Sequence, residues 1–250
     1  MQLNRYEVLD EEEIFKIHEA SLEILSEVGI AIYSKEVLEL LNEAGAIVDL
    51  KKSIARIPKN LVEEALVSVP LNVLIWSRDK KSVFTLGDGH SHIVTGFDEL
   101  YVPSSERNKW RKTTKSDVAD FAKIADALEN IDMVGPQGMP QDIVVPEASL
   151  LHAVDAVFNN TEKPLYFSPD TRRVTRAVFD IAKTTVEKND LSLHPILICQ
   201  LSPTSPLSWV KDEVEALVET AKCKVPCNIL PMPYAGVTAP ITIAGQLTIH

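Results

Sequence analysis

Polar side chains that could bind or orient a small molecule follow four predicted strands, at the points where those strands end. The candidates, in chain order, are Asp142, Ser168, Gln200 and Tyr234. In folds built from repeated strand–helix units, reactive groups lie at the carboxyl ends of the strands. Gln200 is the hardest to explain by packing because it lies near the end of an otherwise apolar strand. These positions are therefore the first candidate binding site.

The histidines and cysteines form no recognisable catalytic or metal-binding motif. No Ser-His-Asp or Cys-His arrangement can be assembled, and no Glu-x-x-His or His-x-x-x-His pair is present. Cys223 and Cys227 could hold a metal, but no second pair of ligands lies nearby, so we predict ordinary thiols and no metal site. The residues indicate binding and orientation, with the difficult chemistry left to a cofactor or partner.

Four strand–helix units of regular length would position these side chains. The predicted strands begin at residues 131, 165, 196 and 228, in steps of 34, 31 and 32 residues. Such spacing is typical of βα units that build a parallel sheet. The third strand, 196–201, is almost wholly apolar, as expected of a strand covered on both faces.

The first part of the chain lacks this βα repeat. It combines amphipathic helices, the first of which is predicted to begin with a capping box formed by Asp10 and Glu13. A hairpin is predicted at 46–57, and a run of short strands at 73–76, 83–86, 92–97 and 100–102. We therefore predict an α/β protein with two regions: an N-terminal α+β region of helices and short antiparallel strands at 1–112, and a (β/α) half-barrel at 113–250. The half-barrel would be truncated, because a complete (β/α)₈ barrel needs twice as many units.

Composition excludes several classes of function. The 250-residue chain has a net charge of −11, which argues against a nucleic-acid or anionic-membrane partner and is compatible with a cationic substrate. No run of 18 apolar residues or signal sequence is present, and there are only three cysteines. These features predict a cytoplasmic protein with reduced thiols.

Five ordered stretches of the chain resemble the trimethylamine methyltransferase (MttB) family. They are EEIFKIHEASLEILSEVGIAIYSKEVLELLNEAGAIVD, RIPKNLVEEALVSVP with the following IWSRD, NTEKPLYFSPD, SPTSPLSW and GVTAPITIAGQL. Together they cover nearly the whole chain in the family's order.

This resemblance implies a TIM-type barrel that moves a methyl group from a methylated or quaternary amine to the cobalt of a corrinoid. The corrinoid (cobalamin) would be carried by a partner protein, with no cofactor bound directly. Aromatic faces and carboxylates could hold the amine, which adds Asp98 to Asp142 and Tyr234 as candidates. Trimethylamine and a quaternary amine remain equally open as substrates.

Family members are about twice as long, so the resemblance implies that this chain corresponds to the N-terminal half and is an inactive fragment. A second hypothesis is a non-catalytic half-barrel subunit that binds a corrinoid protein or a sister chain. A homo-oligomer or a second half-barrel chain would then complete the fold. The third alternative, a phosphate-binding βα enzyme, is disfavoured because such sites usually follow strands seven and eight of a barrel.

Overall fold

The computed structural model describes residues 8–186 and 190–250, so residues 1–7 of the predicted N-terminal region lie outside the described part of the chain. The helices are α1 Glu11–Glu23, α2 Lys35–Glu43, α3 Lys59–Ser68, α4 Lys115–Ala127, α5 Ser149–Phe158, α6 Arg172–Lys183, α7 Lys211–Lys222 and α8 Ile243–Ile249. The strands are β1 Ile30–Ile32, β2 Ile47–Asp49, β3 Ile54–Arg56, β4 Val73–Trp76, β5 Val83–Leu86, β6 Tyr101–Pro103, β7 Trp110–Lys112, β8 Leu165–Phe167, β9 Leu197–Leu201, β10 Ser208–Trp209 and β11 Cys227–Ile229. None of the helices in the described ranges is long and apolar enough to span a membrane.

Side-chain caps fix where several helices begin. Asp10 accepts a hydrogen bond from the Glu13 backbone N–H at 2.8 Å, and Glu13 accepts one from the Asp10 N–H at 3.0 Å. This reciprocal pair confirms the capping box predicted from the sequence and satisfies two backbone groups at the start of α1. Thr171 caps α6 by accepting a bond from the Val174 N–H.

Contacts within the chain define two compact units. The first comprises residues up to Val69 together with Ser202–Val214 and Leu230–His250, and the second comprises Pro70–Leu201 and Glu215–Ile229. This division differs from the predicted regions 1–112 and 113–250. The difference arises because residues 70–112 pair with the βα part of the chain, while later segments join the N-terminal helices.

The first unit contains a four-stranded sheet in the order β10-β1-β3-β2. β2 and β3 are antiparallel, with Ile47 opposite Arg56, which confirms the hairpin predicted at 46–57. β10 joins in parallel beside β1, although it is far away in sequence. Helix α8 lies against α1 in this unit, where the Ser21 hydroxyl donates to the Thr248 carbonyl at 3.0 Å.

The second unit is built on a parallel sheet in the order β11-β9-β8. Single parallel bridges extend it, from Leu165 of β8 to Val134 and from Met133 to Val94. Three of the four predicted parallel strands are therefore regular strands, and the first, at 131–134, is present only as bridges. The mixed α/β class predicted from the sequence is observed in both units.

The segment predicted as an antiparallel strand at 92–97 has a different role. The structure gives it no regular strand but aligns it in parallel beside residues 132–138, with Thr95 N–H donating to the Met133 carbonyl at 3.3 Å. The antiparallel prediction was wrong here because short apolar segments specify a strand but not the neighbour or direction of pairing. The segment is thus a further member of the parallel arrangement.

The β4–β5 hairpin covers the amino end of this parallel sheet. Its strands have the bounds predicted from the sequence, and the Trp76 N–H donates to the carbonyl of Pro195, just before β9, at 2.8 Å. Ile75 is fully buried against Met133 and Ile198. The hairpin therefore closes one end of the sheet with apolar side chains, and the polar side chains lie toward the other.

Candidate active site

Three polar side chains from neighbouring strands meet on one face of the parallel sheet. The Tyr166 hydroxyl donates to Gln200 Oε1 at 2.5 Å, and Asn228 Nδ2 donates to the Tyr166 hydroxyl oxygen at 2.6 Å. Asn228 and Gln200 are direct register partners in β11 and β9. The three side chains, which we call the polar row, lie toward the carboxyl ends of their strands.

Strand alternation explains why Tyr166 belongs to the polar row. Its neighbours Leu165 and Phe167 are fully buried, and the Phe167 ring meets the Phe179 ring of α6 edge-on at 6.1 Å. Successive side chains of a strand point to opposite faces, so Tyr166 points away from α6. There it packs on the cluster of Ile75, Met133 and Ile198. The polar row therefore lies next to an apolar cluster on the same face of the sheet.

A second aromatic ring lies beside the row. The Phe97 and Tyr166 ring centroids are 5.7 Å apart, with the planes tilted at 47°. Gly135 lies between their two segments, where an added Cβ would be only 2.8 Å from the Gly96 carbonyl oxygen and 3.2 Å from that of Tyr166. Only glycine permits this approach of the backbones without displacement. Gly135 thus allows the segment that carries Phe97 to lie close to β8.

Asp98 follows Phe97 and carries a perturbed carboxyl group. Its N–H donates to the Pro136 carbonyl at 3.2 Å, and its φ of 68° places it in the left-handed region. Burial raises the pKa of Asp98 to about 6, and the negative charges of Asp170 and Glu99 add to the rise. A carboxylate in such surroundings is stabilised by a positive charge. The arrangement of two rings, amide groups and a desolvated carboxyl group is suited to a small cation.

Comparison with known proteins identifies the family. The model of the family described as trimethylamine methyltransferase (MTTB) matches residues 1–250. The chain belongs to this family. It is 34% identical to trimethylamine methyltransferase MttB of Desulfitobacterium hafniense over 96% of this chain and 48% of that protein. It is 26% identical to glycine betaine methyltransferase of the same species, over 99% and 51% of the two chains.

A third relative, trimethylamine methyltransferase MttB of Methanosarcina barkeri, is 29% identical over 96% of this chain and 49% of the relative. The chain thus spans about half the length of the curated relatives that it matches. Among solved structures, the M. barkeri monomethylamine methyltransferase (MtmB) superposes with a TM-score of 0.61 at 13% identity, covering 96% of this chain and 49% of that one. This likeness shows a shared fold.

In this family member, the predicted site residues divide into two groups. Gln200 lies in the polar row, and Ser168 directly follows β8 at the same edge of the sheet. Asp98 is the residue after Phe97, whose ring lies beside that of Tyr166. Asp142 instead accepts a hydrogen bond from the Lys115 N–H at 3.0 Å, at the start of α4. Tyr234 belongs to the first unit, where its N–H donates to the Thr238 hydroxyl at 2.9 Å.

The capping position of Asp142 has a simple physical cause. The first backbone N–H groups of a helix have no partner within the helix, and a nearby carboxylate satisfies one of them. Asp142 was the leading acidic candidate because of its place after a strand. The structure assigns it this contact at α4 and gives the perturbed carboxyl group to Asp98.

Tyr166 and Asn228 were not among the predicted residues, because the prediction considered mainly positions after the strands. Both lie inside strands, and their neighbours in the sequence are largely apolar. A polar side chain flanked by apolar residues in the sequence was the available signal, the same one that identified Gln200. Which face each residue occupies depends on strand register, which the sequence pattern alone left open.

The opposite face of the sheet carries two of the cysteines. Cys199 and Cys227 are register partners, and the hydrogen bond to Cys199 together with burial raises the pKa of the Cys227 thiol. Cys227 is therefore protonated at neutral pH. In residues 8–186 and 190–250, no group of three or more His, Cys, Asp or Glu side chains could hold a metal ion.

Proposed function

We propose that this chain takes part in moving a methyl group from a methylated or quaternary amine to the cobalt of a corrinoid held by a separate protein. Family membership supports a methyltransferase, and the names of the relatives supply the two substrate types, trimethylamine and glycine betaine. We further propose that the parallel sheet forms part of a TIM-type barrel, which the likeness to MtmB supports. A cytoplasmic location remains a prediction.

The observation that carries this proposal is the polar row with its neighbouring ring and carboxyl group. A quaternary ammonium group interacts favourably with aromatic faces, by about 0.5–2 kcal/mol for each ring. The Tyr166 and Phe97 rings are 5.7 Å apart, and we propose that Asp98, the residue after Phe97, supplies the negative charge of the site. Because Asp98 is half-buried, its attraction to a cation is stronger than it would be in water.

The chemical task assigned to these residues is orientation. The methyl group would leave a quaternary or protonated nitrogen, which would depart as a neutral amine with the electron pair of the broken bond, and the cobalt would accept the methyl group. The corrinoid supplies a strongly nucleophilic Co(I). The protein must then hold the methyl–nitrogen axis in line, which lowers the barrier through positioning. The hydrogen bonds of Gln200 and Asn228 to the Tyr166 hydroxyl fix the ring that would support the cation.

Binding of tetramethylammonium tests the site without requiring methyl transfer. This ion is cationic at every pH, so isothermal titration at different pH values reports the charge of Asp98. We expect binding at pH 8 that weakens as the pH falls through about 6, because protonation of Asp98 removes the negative charge. Asp98→Asn should weaken binding about tenfold at pH 8, equivalent to about 1.4 kcal/mol.

Asp142→Asn is the matched control, because it makes the same chemical change at a carboxylate that contacts α4 instead. It should leave tetramethylammonium binding unchanged. Absence of binding by the unmodified chain, or equal effects of the two substitutions, would refute the proposed site.

The half-barrel subunit remains the alternative, because the chain spans about half the length of its relatives. On either hypothesis, we expect the 250-residue chain alone not to methylate Co(I) corrinoid at the rate of a complete enzyme. Native mass spectrometry separates the two: a defined complex with a sister chain supports the subunit hypothesis, and a stable monomer supports the fragment.

A further inference from the structure

The β6–β7 hairpin presents an exposed aromatic and basic face. Pro103 is opposite Trp110 and Tyr101 is opposite Lys112, so these four side chains share one face of the two-stranded ribbon. Tyr101 is 55% exposed and Trp110 is 68% exposed. We call this set, together with Arg107 at the connecting turn, the hairpin face.

The other face of the ribbon anchors it to the rest of the unit. Val102 is buried, and its partner Arg111 donates two hydrogen bonds of 2.6 Å to the Asp117 carboxylate of α4. This bidentate pair is the stronger form of Arg–carboxylate contact. The hairpin is thus held in place by one face, and the aromatic side chains of the other are left in contact with solvent.

The hairpin is positively charged within an acidic protein. Residues 101–112 include four basic residues and one acidic residue, a net charge of +3, whereas the whole chain carries −11. Lys109 pairs with Glu106, and Arg111 pairs with Asp117. Arg107 and Lys112 form no ion pair with the residues that the structure describes. Their charges remain available to a partner.

The location of the hairpin links it to the candidate active site. The Glu99 N–H donates to the Gln137 carbonyl at 3.1 Å, and the Thr113 hydroxyl donates to the Glu99 carbonyl at 2.9 Å. The ribbon therefore begins three residues after Asp98, at the carboxyl edge of the parallel sheet. Beside it, Gln141 N–H donates to the Thr113 carbonyl at 2.9 Å, and the loop beyond contains Val144, which is 96% exposed.

We infer that the hairpin face is the docking surface for an acidic protein, the one that carries the methyl acceptor. The inference rests on the proposed function, because a protein-bound acceptor must come to the edge where the substrate lies. Aromatic and arginine side chains are enriched at the centres of protein interfaces, and unpaired charges steer a partner of opposite sign. The overall charge of −11 disfavours nucleic acid as the occupant.

The test measures binding between the 250-residue chain and the purified corrinoid protein of the same organism, with its corrinoid bound, by surface plasmon resonance. Trp110→Ala should weaken binding at least tenfold, because it removes a large aromatic side chain from the centre of the face. The double substitution R107E/K112E should weaken binding about tenfold, mainly through slower association, and the loss should shrink at high salt.

The matched control is K51E/K52E, which makes the same change in net charge at the exposed turn between β2 and β3. It should leave binding unchanged. All substituted side chains are exposed, and circular dichroism with thermal unfolding checks that each variant is folded. The docking inference is overturned if the unmodified chain does not bind, if both hairpin variants bind normally, or if the control loses as much affinity.

Two further outcomes would also overturn it: tighter binding of a single-stranded oligonucleotide than of the corrinoid protein, or loss of self-association in the hairpin variants without loss of partner binding. Tetramethylammonium binding separates this inference from the proposed function. If the hairpin variants bind both tetramethylammonium and the partner normally, only the docking surface is refuted. A chain that binds the partner through the hairpin but does not bind the cation refutes only the proposed site.

Discussion

The two ends of the parallel sheet each hold a buried or half-buried charged side chain, but the surroundings of the two charges differ. At the amino end, the Arg78 guanidinium is only 11% exposed, yet it donates two hydrogen bonds of 2.5 Å, to the Phe158 and Thr161 carbonyls. It also lies 4.9 Å from the centroid of the Phe158 ring and 3.4 Å from the Glu162 carboxylate. At the carboxyl end, Asp98 has other carboxylates as its charged neighbours.

This contrast separates stability from function within one sheet. Arg78 ties the β4–β5 hairpin to the end of α5, where free carbonyl groups and the helix dipole favour a cation. Asp98 has the reverse environment, since burial and like charges disfavour its ionised form. A charge that the fold leaves uncompensated is characteristic of a site that awaits a ligand of opposite sign.

Removal of Arg78 should produce the largest effect. Arg78→Ala leaves two carbonyl groups without their donor and detaches the hairpin from α5, so we expect a loss of about 3 kcal/mol in the free energy of unfolding. Urea denaturation followed by circular dichroism measures it. Lys81→Ala, in the same hairpin but at an exposed ion pair with Asp79, should change stability little. Similar losses of unfolding free energy in the two variants would contradict the role of Arg78 in joining the hairpin to α5.

Substitution of Asp98 should raise the free energy of unfolding, whereas substitution of Arg78 should lower it. The folded-state pKa of Asp98, about 6, lies above the ordinary value of 3.8, so the folded protein binds the proton more tightly than the unfolded chain. Its contribution to stability is therefore greatest below about pH 4 and is lost as the pH rises through about 6. Asp98→Asn should raise the free energy of unfolding at pH 8 by about 1–2 kcal/mol, allowing for partial exposure.

The same denaturation series at pH 4 and pH 8 measures this change. The gain from Asp98→Asn should shrink strongly at pH 4, where the carboxyl group of the unmodified protein is largely neutral. A variant that is destabilised at pH 8, or stabilised equally at both pH values, would contradict the account of Asp98 as an uncompensated charge.

The smallest effect is expected in the polar row. Tyr166→Phe removes the hydroxyl that donates to Gln200 and accepts from Asn228, which should lower the free energy of unfolding by about 1 kcal/mol. Tetramethylammonium affinity should fall only slightly, because the ring remains. Tyr33→Phe, at an exposed tyrosine, is the matched control. Complete loss of cation binding in Tyr166→Phe would mean that the hydroxyl, and not the ring, recognises the ligand.

Local features of the fold could be predicted from the sequence because neighbouring residues create them. The capping box at Asp10 and Glu13 and the β4–β5 hairpin were identified in this way. The parallel alignment of residues 93–99 with 132–138 was not, because it joins segments about 40 residues apart. The sequence pattern carried no information about that partner.

The candidate site shows the same division. Gln200 was identified because a polar side chain in an apolar strand needs a reason, and the resemblance to the family added Asp98. The partners of Gln200 could not be predicted: Tyr166 and Asn228 meet it only through the register of three parallel strands. Asp142 was predicted as a site residue, and the structure shows its carboxylate accepting a hydrogen bond from the Lys115 N–H at the start of α4.

By itself, the sequence determined the α/β class, the βα spacing, the acidic charge and the family, since each depends on residue type and order along the chain. Only the tertiary structure decided which side chains face one another. Strand register selects a face for every residue, and burial then sets the pKa of the carboxyl group that lies there. Asp98 is therefore a distinctive residue of this protein mainly because the fold buries it, and its sequence neighbour Glu99 adds only part of the rise in its pKa.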